Sequence, residues 1–285
     1  MTETPIVAFL GPRGTYSEEA VEEIMQRLGI AAFVEEPQPS IFDALKVVER
    51  EEADRAVVPF ENSLEGSVTA TLDGLAVDTE GLEIIATHEV PIDHCLIAAS
   101  EIELDSISTV LSHPQATGQC AAYLRENLPG AEVQGVASTA EAVRLVSERG
   151  GNLAALGSKK AAEIYDCAIL EDGIGSDSVN VTRFGLIART SEGCRIDGEE
   201  RGTSIVFSEL GESRPGALTD ALGVFSSREI NLTRIQSHPI RGELGRYMFF
   251  IDLEGSIETD EIRAAVDDLD RMAESMRVLG SYSII

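Results

Sequence analysis

The sequence of 285 residues predicts an α/β domain followed by a smaller α+β domain. From Ile6 to about Thr190, short apolar runs alternate with segments of helical periodicity, which is typical of α/β layers around a mostly parallel sheet. Residues 191–201 are polar and contain glycine, as expected of a linker. From residue 202 onward the order of predicted elements changes, which indicates a separate domain.

The first 190 residues contain two predicted α/β units, joined near residues 80–85. Thr15 and Glu18 have the spacing of a capping box, which predicts a helix that ends near Gly29. Pro59 favours the end of a strand, because proline cannot donate a ladder hydrogen bond. The predicted strands span residues 6–10, 32–34, 55–59, 83–86, 95–98, 109–111 and 153–156, and the predicted helices span residues 15–29, 41–50, 117–127 and 139–149.

The C-terminal segment has the predicted order βαββαβ, which is that of a ferredoxin-like α+β domain. A turn is expected around Arg241-Gly242, between the second and third strands. The predicted strands span residues 203–207, 231–237, 246–253 and 278–285, and the predicted helices span residues 217–227 and 259–277.

The charge balance is strongly acidic. Fifty Asp and Glu residues face 22 Lys and Arg residues, for a formal net charge of −28, and only three residues are lysines. Self-repulsion of this size weakens a compact fold in dilute salt, whereas molar salt shortens the Debye length to about 3 Å. We therefore expect a halophilic protein adapted to high intracellular salt. The alternative is an acidic, very soluble enzyme without this adaptation.

Composition also argues against several classes of protein. The sequence shows no basic patch for nucleic acid, no long apolar run for a membrane span and no signal peptide, so we expect a cytoplasmic protein without nucleic-acid or membrane partners. The four cysteines form no C-x-x-C pair, and the histidines show no ligand spacing with them. We expect reduced thiols and no metal.

A first candidate site is Gly11-Pro-Arg-Gly-Thr-Tyr-Ser-Glu18, between a predicted strand and a predicted helix. Such a turn directs backbone N–H groups and the positive end of the helix dipole at one point, which favours an anion. An ordinary capped turn would have the same sequence features.

A second candidate site is Val58-Pro-Phe-Glu-Asn-Ser-Leu-Glu-Gly-Ser67. It places Glu61, Asn62 and Ser63 after a predicted strand, where α/β sheets bind ligands. The Asn and Ser side chains can donate to carboxylate oxygens, or they can satisfy their own backbone in a polar turn.

A third candidate site is Leu111-Ser-His-Pro-Gln-Ala-Thr-Gly-Gln-Cys120, again between a strand and a helix. Ser112 occupies the position of a helix N-cap or a ligand donor, and Gln119 is expected in the first or second helical turn. His113 is open to two interpretations, an acid or base and a turn residue next to Pro114.

A fourth candidate site is Asn180-Val-Thr-Arg-Phe184, which alternates polar and apolar residues like a short strand. Asn180 and Thr182 would then share one face. Arg183 is well suited to bidentate pairing with a carboxylate. An exposed edge strand would give the same alternation.

These motifs, with Gly157-Ser, occur in the order and at the separations found in the prephenate dehydratases, which the chain resembles from about Pro5 to Tyr282. The C-terminal domain resembles the ACT regulatory domain of those enzymes. The resemblance implies a catalytic domain at 1–190 with a two-lobed, periplasmic-binding-protein-like (type II) fold, a linker at 191–201 and an ACT domain at 202–285. The lobes would be about 1–82 with 176–190, and 83–175.

The resemblance also implies the reaction, a carbon–oxygen (hydro-)lyase step that converts prephenate to phenylpyruvate in phenylalanine biosynthesis, without a cofactor. Thr182 fills the family's essential threonine position and would donate to the departing hydroxyl. Glu61 is the candidate proton source, since a desolvated carboxyl can hold a proton near neutral pH. The implied substrate-binding residues are Thr15, Asn62, Ser63, Ser112, Gln119, Asn180 and Arg183.

For the regulatory domain, the resemblance implies feedback by phenylalanine and pairing into a homodimer or homotetramer. Thr219, Gln236 and His238 replace the family's Val, Glu and Arg in the two ligand-binding motifs. A domain that only dimerises is the alternative to a phenylalanine site. The implied phenylalanine-binding residues are Gly216, Ala217, Leu218, Asn231, Leu232 and Ser237.

Two other functions are compatible with the sequence. An arogenate dehydratase uses the same fold on a substrate with an amine in place of the keto group, and Thr69 and Ala70 are among the positions that could discriminate the two. A non-catalytic amino-acid or solute sensor would need no chemistry, and the intact Thr-Arg-Phe and Glu-Asn-Ser segments argue against it.

Overall fold

A computed structural model describes residues 4–175, 179–192, 201–208, 210, 215–241 and 245–285. Most of the predicted linker lies outside the described residues, as do Cys194, Gly242 and residues 176–178. The chain forms two compact units, of which unit 1 comprises residues 1–44, 57–68 and 89–184, and unit 2 comprises residues 45–56, 69–88 and 185–285. No described helix combines the length and the apolar character that a bilayer crossing requires.

Strands and helices alternate through the first 192 residues, as the apolar pattern predicts. A π-helix at Gly74–Asp78 and two 3-10 helices at Leu104–Ser106 and Thr190–Glu192 complete this part. The strands are β1 (Ile6–Leu10), β2 (Val34–Gln38), β3 (Arg55–Asn62), β4 (Gly66–Ser67), β5 (Leu82–Pro91), β6 (Cys95–Ala98), β7 (Thr109–Ser112), β8 (Glu132–Gly135), β9 (Leu153–Gly157), β10 (Ala168–Glu171) and β11 (Val181–Arg189). The helices are α1 (Tyr16–Arg27), α2 (Ile41–Glu49), α3 (Thr69–Asp73), α4 (Pro114–Gln119), α5 (Ala121–Asn127), α6 (Thr139–Arg149) and α7 (Lys159–Ile164).

Unit 1 contains two groups of strands. One has the order β11-β3-β1-β2, with β1 and β2 parallel, and the other is a five-stranded sheet with the order β10-β6-β9-β7-β8. In the five-stranded sheet β7 is parallel to β8 and β9, whereas β6 is antiparallel to β9 and β10. Two apolar clusters cover this sheet, one including Val143 and Val146 of α6 and the other Leu124 of α5. This packing fixes the strand ends that carry the site.

Several predicted boundaries near the site were wrong. β3 does not end at Pro59 but continues to Asn62, because β4 folds back and pairs with its last residues. The capping box is also different, since Glu18 accepts from the backbone N–H of Gly14 (2.5 Å) and the Thr15 hydroxyl donates to the carbonyl of Leu10 (3.1 Å). The short strand predicted at 32–34 begins only at Val34, where β2 meets β1.

The predicted helix at 117–127 is two helices, α4 and α5. His113 is the N-cap of α4, and its Nδ1 accepts from the N–H of Gln115 (3.3 Å). Pro114 at the first helical position suits this start, since proline lacks only an N–H that has no helical partner there. Ser112, predicted as a possible N-cap, is instead the last residue of β7.

The C-terminal part of unit 2 has the predicted order βαββαβ. The elements are β12 (Gly202–Ser208), α8 (Ala217–Ser226), β13 (Leu232–Pro239), β14 (Tyr247–Glu254), α9 (Asp260–Asp270) and β15 (Ser275–Ile284). The sheet has the order β13-β14-β12-β15, with antiparallel neighbours, and both helices pack on one core that includes Phe207, Phe225 and Ile251. The second helix ends well before the predicted residue 277, because the last strand already begins at Ser275.

A buried ion pair joins two strands of this sheet. Arg234 Nε lies 2.8 Å from Asp252 Oδ2, and Ser204 donates to Asp252 Oδ1 over 2.6 Å. The Asp252 side chain is only 1% exposed. Because both carboxylate oxygens have donors, the pair specifies the register of β13 against β14 without leaving an uncompensated charge.

Candidate active site

Unit 1 encloses a cavity of about 380 Å³. Four of the nine predicted catalytic and substrate-binding residues line it, namely Thr15, Asn62, Gln119 and Thr182. The structure therefore brings together residues from all four candidate motifs, and the third motif contributes His113 and Gln119. Polar lining residues outside the predicted set are Tyr16, Ser17, His94, His113, Gln115, Ser138 and Thr139.

Thr182 lies near the start of β11 and is 8% exposed. Its Oγ1 accepts a hydrogen bond from Asn62 Nδ2 over 2.9 Å. A hydroxyl carries one hydrogen and two lone pairs, so accepting from Asn62 leaves its own O–H available to donate. Thr182 is thus poised as a donor at the wall of the cavity.

The orientation of Asn62 is set by the backbone. Its Oδ1 accepts from the N–H groups of Leu64 and Glu65, over 2.9 and 3.0 Å. An amide nitrogen could not accept those bonds, so the Nδ2 group must face the other way, where it donates to Asn180 Oδ1 (2.8 Å) as well as to Thr182. Asn180, which does not itself line the cavity, is therefore part of the same hydrogen-bonded group.

Gln119 and His94 extend this group. Gln119 Oε1 accepts from Asn180 Nδ2 over 3.0 Å and lies 2.8 Å from His94 Nε2. The hydroxyl of Tyr16 donates to the Asp93 carbonyl (2.6 Å) and lies 3.2 Å from His94 Nδ1. One chain of polar contacts therefore runs from Tyr16 to Thr182.

Burial keeps both rings at the start of this chain uncharged. It lowers the pKa of His94, against the hydrogen bond to Gln119, which raises it. Burial is also the main cause of a Tyr16 pKa well above its usual value, followed by the charge of Glu19. At neutral pH a neutral imidazole and a neutral phenol are thus the favoured forms.

Four further predicted residues lie outside the lining. Glu61 and Arg183 form an ion pair with each other (2.6 Å). Ser63 donates to the carbonyl of Val179 and accepts from the N–H of Val181, both over 3.0 Å, which holds the start of β11 against the end of β3. Ser112 is fully buried and donates to the carbonyl of Leu156 (3.0 Å) in the neighbouring strand.

The cavity has an electrostatic character suited to an anion. Among the described residues that line it there is no Asp, Glu, Lys or Arg. Instead the first residues of two long helices face it, Tyr16 and Ser17 of α1 and Thr139 of α6. Helix N-termini carry partial positive charge, so they attract an anion without placing a fixed cation against it.

The residues predicted to bind phenylalanine lie at two places in the C-terminal domain. Gly216 is the N-cap of α8, with a φ of 91° that favours glycine, and Ala217 and Leu218 begin the helix. Asn231, immediately before β13, and Ser237, towards the end of β13, are both exposed. Leu218 and Leu232 also pack against the core of the domain, so part of this set has a structural role as well.

Within the described part of the chain, no group of three or more His, Cys, Asp or Glu side chains is arranged to hold a metal ion. The histidines near the cavity have other partners. His94 contacts Gln119 and Tyr16, and His113 caps α4.

The fold and the site together define an enzyme of small anionic metabolites that carries a regulatory domain. Residues 7–192 match the family model described as prephenate dehydratase, and residues 204–271 match the ACT domain. The chain belongs to the prephenate dehydratase family, and the predicted fold class is confirmed.

Relatives and solved structures agree with this assignment. The prephenate dehydratase of Methanocaldococcus jannaschii is 37% identical over 279 residues, covering 98% of each chain. Arogenate dehydratase/prephenate dehydratase 2 of Arabidopsis thaliana is 38% identical over 290 residues, covering 98% of this chain and 72% of its own. The structure of prephenate dehydratase in complex with L-Phe from Arthrobacter aurescens has a TM-score of 0.87 and 37% identity, covering 98% of this chain and 90% of that one.

Proposed function

We propose that this chain converts prephenate to phenylpyruvate by loss of carbon dioxide and water. The observation that carries the proposal is the cavity of unit 1, where Thr182 lies with the side-chain amides of Asn62 and Gln119 and none of the described lining residues is acidic. Prephenate is a dianion, and two helix N-termini with amide donors offer it favourable charge. In a protein of net charge −28, a site that excludes carboxylates is a specific arrangement.

The overall reaction is strongly favourable, because loss of the ring carboxylate as carbon dioxide and of the ring hydroxyl creates a benzene ring. The protein therefore does not have to supply the driving force. The protein must help the hydroxyl depart, by a proton or a strong hydrogen bond at that oxygen. Thr182 is assigned to this contact, since Asn62 occupies a lone pair of its oxygen and leaves the O–H to donate. The carboxylates must be held without stabilising the ring carboxylate so strongly that decarboxylation slows.

The other predicted residues have graded roles in the proposal. Thr15 and Gln119 line the cavity and are assigned to substrate carboxylates, while Asn180 and Ser63 hold the strand that carries Thr182. The hydroxyl of Ser112 donates its hydrogen to the carbonyl of Leu156, so Ser112 is assigned a structural role and not a contact with a substrate carboxylate. No cofactor is required by this chemistry.

Glu61 and Arg183 remain predictions as catalytic acid and carboxylate partner. Their mutual ion pair supports a different contribution. Arg183 balances the negative charge of Glu61, which would otherwise repel the dianionic substrate. The pair is partly exposed, at 36% for Glu61 and 21% for Arg183, so solvent screens it.

The direct test is an assay of phenylpyruvate formation from prephenate by the purified chain, with and without high salt. Conversion that follows saturation kinetics supports the proposal. Recovery of prephenate unchanged at every salt concentration would contradict it. A parallel reaction with arogenate tests the second candidate function, which is favoured by the relative from Arabidopsis thaliana.

We also propose a division into a catalytic domain at 1–190, a linker at 191–201 and an ACT domain at 202–285, with lobes of about 1–82 with 176–190, and 83–175. The bounds of the two family models support the domain division. A cytoplasmic location and a homodimer or homotetramer are part of the same proposal.

Phenylalanine is expected to lower the activity and to raise the melting temperature of the protein. A ligand that binds only the native state stabilises it by about 2.7 kcal/mol at 100 times its Kd. The Asn231→Ala variant should show a smaller shift, because that side chain is assigned to the ligand's ammonium group. The prediction fails if phenylalanine changes neither the activity nor the melting temperature.

Contacts within unit 2 offer a route for such regulation. His238 Nε2, at the end of β13, lies 3.0 Å from Asp73 Oδ1, and Arg241 lies 2.9 Å from both Asp73 and Asp78. These carboxylates belong to α3 and the π-helix, which follow directly on the Glu-Asn-Ser motif in the chain. A ligand that moves β13 would thus act on the segment beyond Asn62.

Salt is expected to stabilise the protein, with a melting temperature about 10 °C higher in molar KCl than in dilute buffer. The cause is screening of carboxylate repulsion, visible at Glu35, whose pKa is raised first by burial and then by Glu18 and Glu22. Because the folded pKa is raised, ionisation of Glu35 opposes folding, and this cost disappears as the pH falls through that pKa.

Sucrose is the control for this experiment, since it stabilises folded proteins by exclusion from the surface and screens no charge. A melting temperature that is equal in dilute buffer and molar KCl, with full activity in both, would contradict salt adaptation.

A further inference from the structure

His94 is a buried histidine that the sequence motifs do not include. It is 3% exposed, lines the cavity and lies immediately before β6. Both ring nitrogens have polar neighbours, Tyr16 at Nδ1 and Gln119 at Nε2. The hydrogen bonds around it determine which nitrogen carries the proton.

Two backbone N–H groups, whose hydrogen positions follow from the peptide geometry, fix the orientation of the first amide. The N–H groups of Leu64 and Glu65 donate to Asn62 Oδ1, so Asn62 directs its NH₂ group at Asn180 Oδ1. Asn180 must then present its own NH₂ group to Gln119, which can receive it only with Oε1. Each amide in the chain thus has one possible orientation.

The orientation of Gln119 also determines the protonation of His94. Because Gln119 Oε1 faces the imidazole at 2.8 Å, the Nε2 atom of His94 must carry a hydrogen to donate. If Nε2 carried no hydrogen, its lone pair would face a lone pair of Gln119 Oε1, and the contact would be repulsive. The second acceptor bond of Gln119 Oε1, from Asn180, does not compete, since a carbonyl oxygen accepts two.

With its oxygen held by His94 and Asn180, Gln119 has its NH₂ group on the opposite side of the amide. Gln119 lines the cavity, and no hydrogen bond from its nitrogen is found among the described residues. Two N–H donors directed at the cavity are what a substrate carboxylate requires. Without His94, Gln119 Oε1 keeps only one of its two hydrogen bonds, the one from Asn180, and the amide is held less firmly.

We propose that His94 is a positioning residue, whose Nε2–H holds Gln119 with its amide nitrogen toward a carboxylate of the substrate. The tautomer follows from Gln119 Oε1 alone, because the hydrogen of the Tyr16 hydroxyl goes to the Asp93 carbonyl. The Tyr16 ring meets the imidazole edge-on at 5.9 Å between centroids and holds its plane. The inference deepens the proposed function of the same cavity and rests on it for its kinetic consequence.

Loss of the His94 donor is expected to affect KM more than kcat. Gln119 would hold a carboxylate in the ground state and the transition state alike, so its disorder mainly raises KM. Thr182 remains oriented through Asn62, which the backbone fixes independently of His94. The His94→Phe variant, which keeps a ring and loses the donor, should raise KM for prephenate about tenfold to hundredfold and lower kcat less.

Two variants separate positioning from a structural role. His94→Gln offers an amide N–H to Gln119 and should recover much of the affinity. In a Gln119→Ala background, His94→Phe should change KM by less than about twofold, because the residue through which it acts is gone. Effects that multiply in the double variant, an unchanged KM in His94→Phe or a failure of His94→Gln to recover any affinity would each overturn the inference.

A spectroscopic measurement on the wild-type chain is independent of the reaction. In the ¹⁵N-histidine spectrum of the full chain near pH 8, His94 should show a protonated Nε2 and a bare Nδ1, with the signal assigned by its loss in His94→Gln. The opposite tautomer would overturn the inference. If prephenate is not converted but this tautomer is found, the proposed function fails and the hydrogen-bond assignment stands.

Discussion

The Thr182→Ala variant is expected to lower kcat for prephenate by about 10²- to 10⁴-fold, the range that one positioned proton donor contributes. The variant removes the O–H that faces the cavity, and the departing hydroxyl then leaves without a hydrogen bond from the protein. A methyl group cannot replace it, and a water molecule in the space beside residue 182, where Thr182 is only 8% exposed, would not have the fixed orientation of the hydroxyl.

The fold should survive this substitution. Asn62 loses one acceptor, but its Nδ2 group keeps Asn180 Oδ1 at 2.8 Å and the carbonyl of Val181 at 3.3 Å. We therefore expect a melting temperature within a few degrees of the wild type.

The matched control for this experiment is Thr182→Ser, which keeps the hydroxyl and removes only a methyl group. It should retain activity within about tenfold, because serine regains some χ1 freedom but can make the same two bonds. Single-turnover kinetics, with prephenate and enzyme in comparable amounts, separate the chemical step from product release. Near-normal turnover in Thr182→Ala would remove Thr182 from the mechanism.

Much of the fold could be predicted from apolar periodicity, because the periods of helices and buried strands differ. The strand at Ile6–Leu10 and the helix at Thr139–Arg149 lie where the sequence predicts them. Boundaries that depend on a tertiary partner were missed. β3 continues beyond Pro59 because β4 pairs with it. The apolar patterns of β3 and β4 do not indicate that the chain folds back between these two strands.

The candidate site could be predicted where residues follow the carboxyl end of a strand. Asn62 at the end of β3 and Gln119 after β7 are found at the cavity, as ligand binding beyond the carboxyl ends of strands predicts. His94 was missed because it precedes its strand. β6 is antiparallel to β9, which is parallel to β7, so the beginning of β6 lies at the same edge as the end of β7. A mostly parallel sheet does not predict this.

The roles of Ser63 and Ser112 depend on where a hydroxyl hydrogen goes. Both are polar residues at strand ends, which the sequence associates with ligands, yet Ser63 donates to Val179 and Ser112 to Leu156. The sequence shows a donor but not its acceptor. Only the packing of neighbouring strands decides whether the donor serves a ligand or the backbone.

The Gly280→Ala variant is expected to lose at least about 4 kcal/mol of unfolding free energy, an exceptional value for one methyl group. Gly280 has a φ of 147°, and a Cβ there would lie 2.2 Å from the Ile84 carbonyl oxygen and 2.7 Å from the Ile84 nitrogen. These are backbone atoms of β5, so no side chain can turn aside to make room. This close approach follows the bulge of β15 between Val278 and Gly280, and β15 then pairs with β5 three residues further on, where Ser283 is opposite Ala86.

The control for this prediction is Gly81→Ala, in the same unit. Gly81 also has a positive φ, of 65°, but a Cβ there would meet nothing within 4 Å. That variant should lose only about 1–2 kcal/mol, the cost of the left-handed conformation alone. Urea unfolding of both variants at one fixed salt concentration measures the difference, which isolates the steric contribution. Equal losses would show that backbone conformation, and not the contact with Ile84, requires glycine at 280, and β15 would then tolerate a side chain where it crosses to β5.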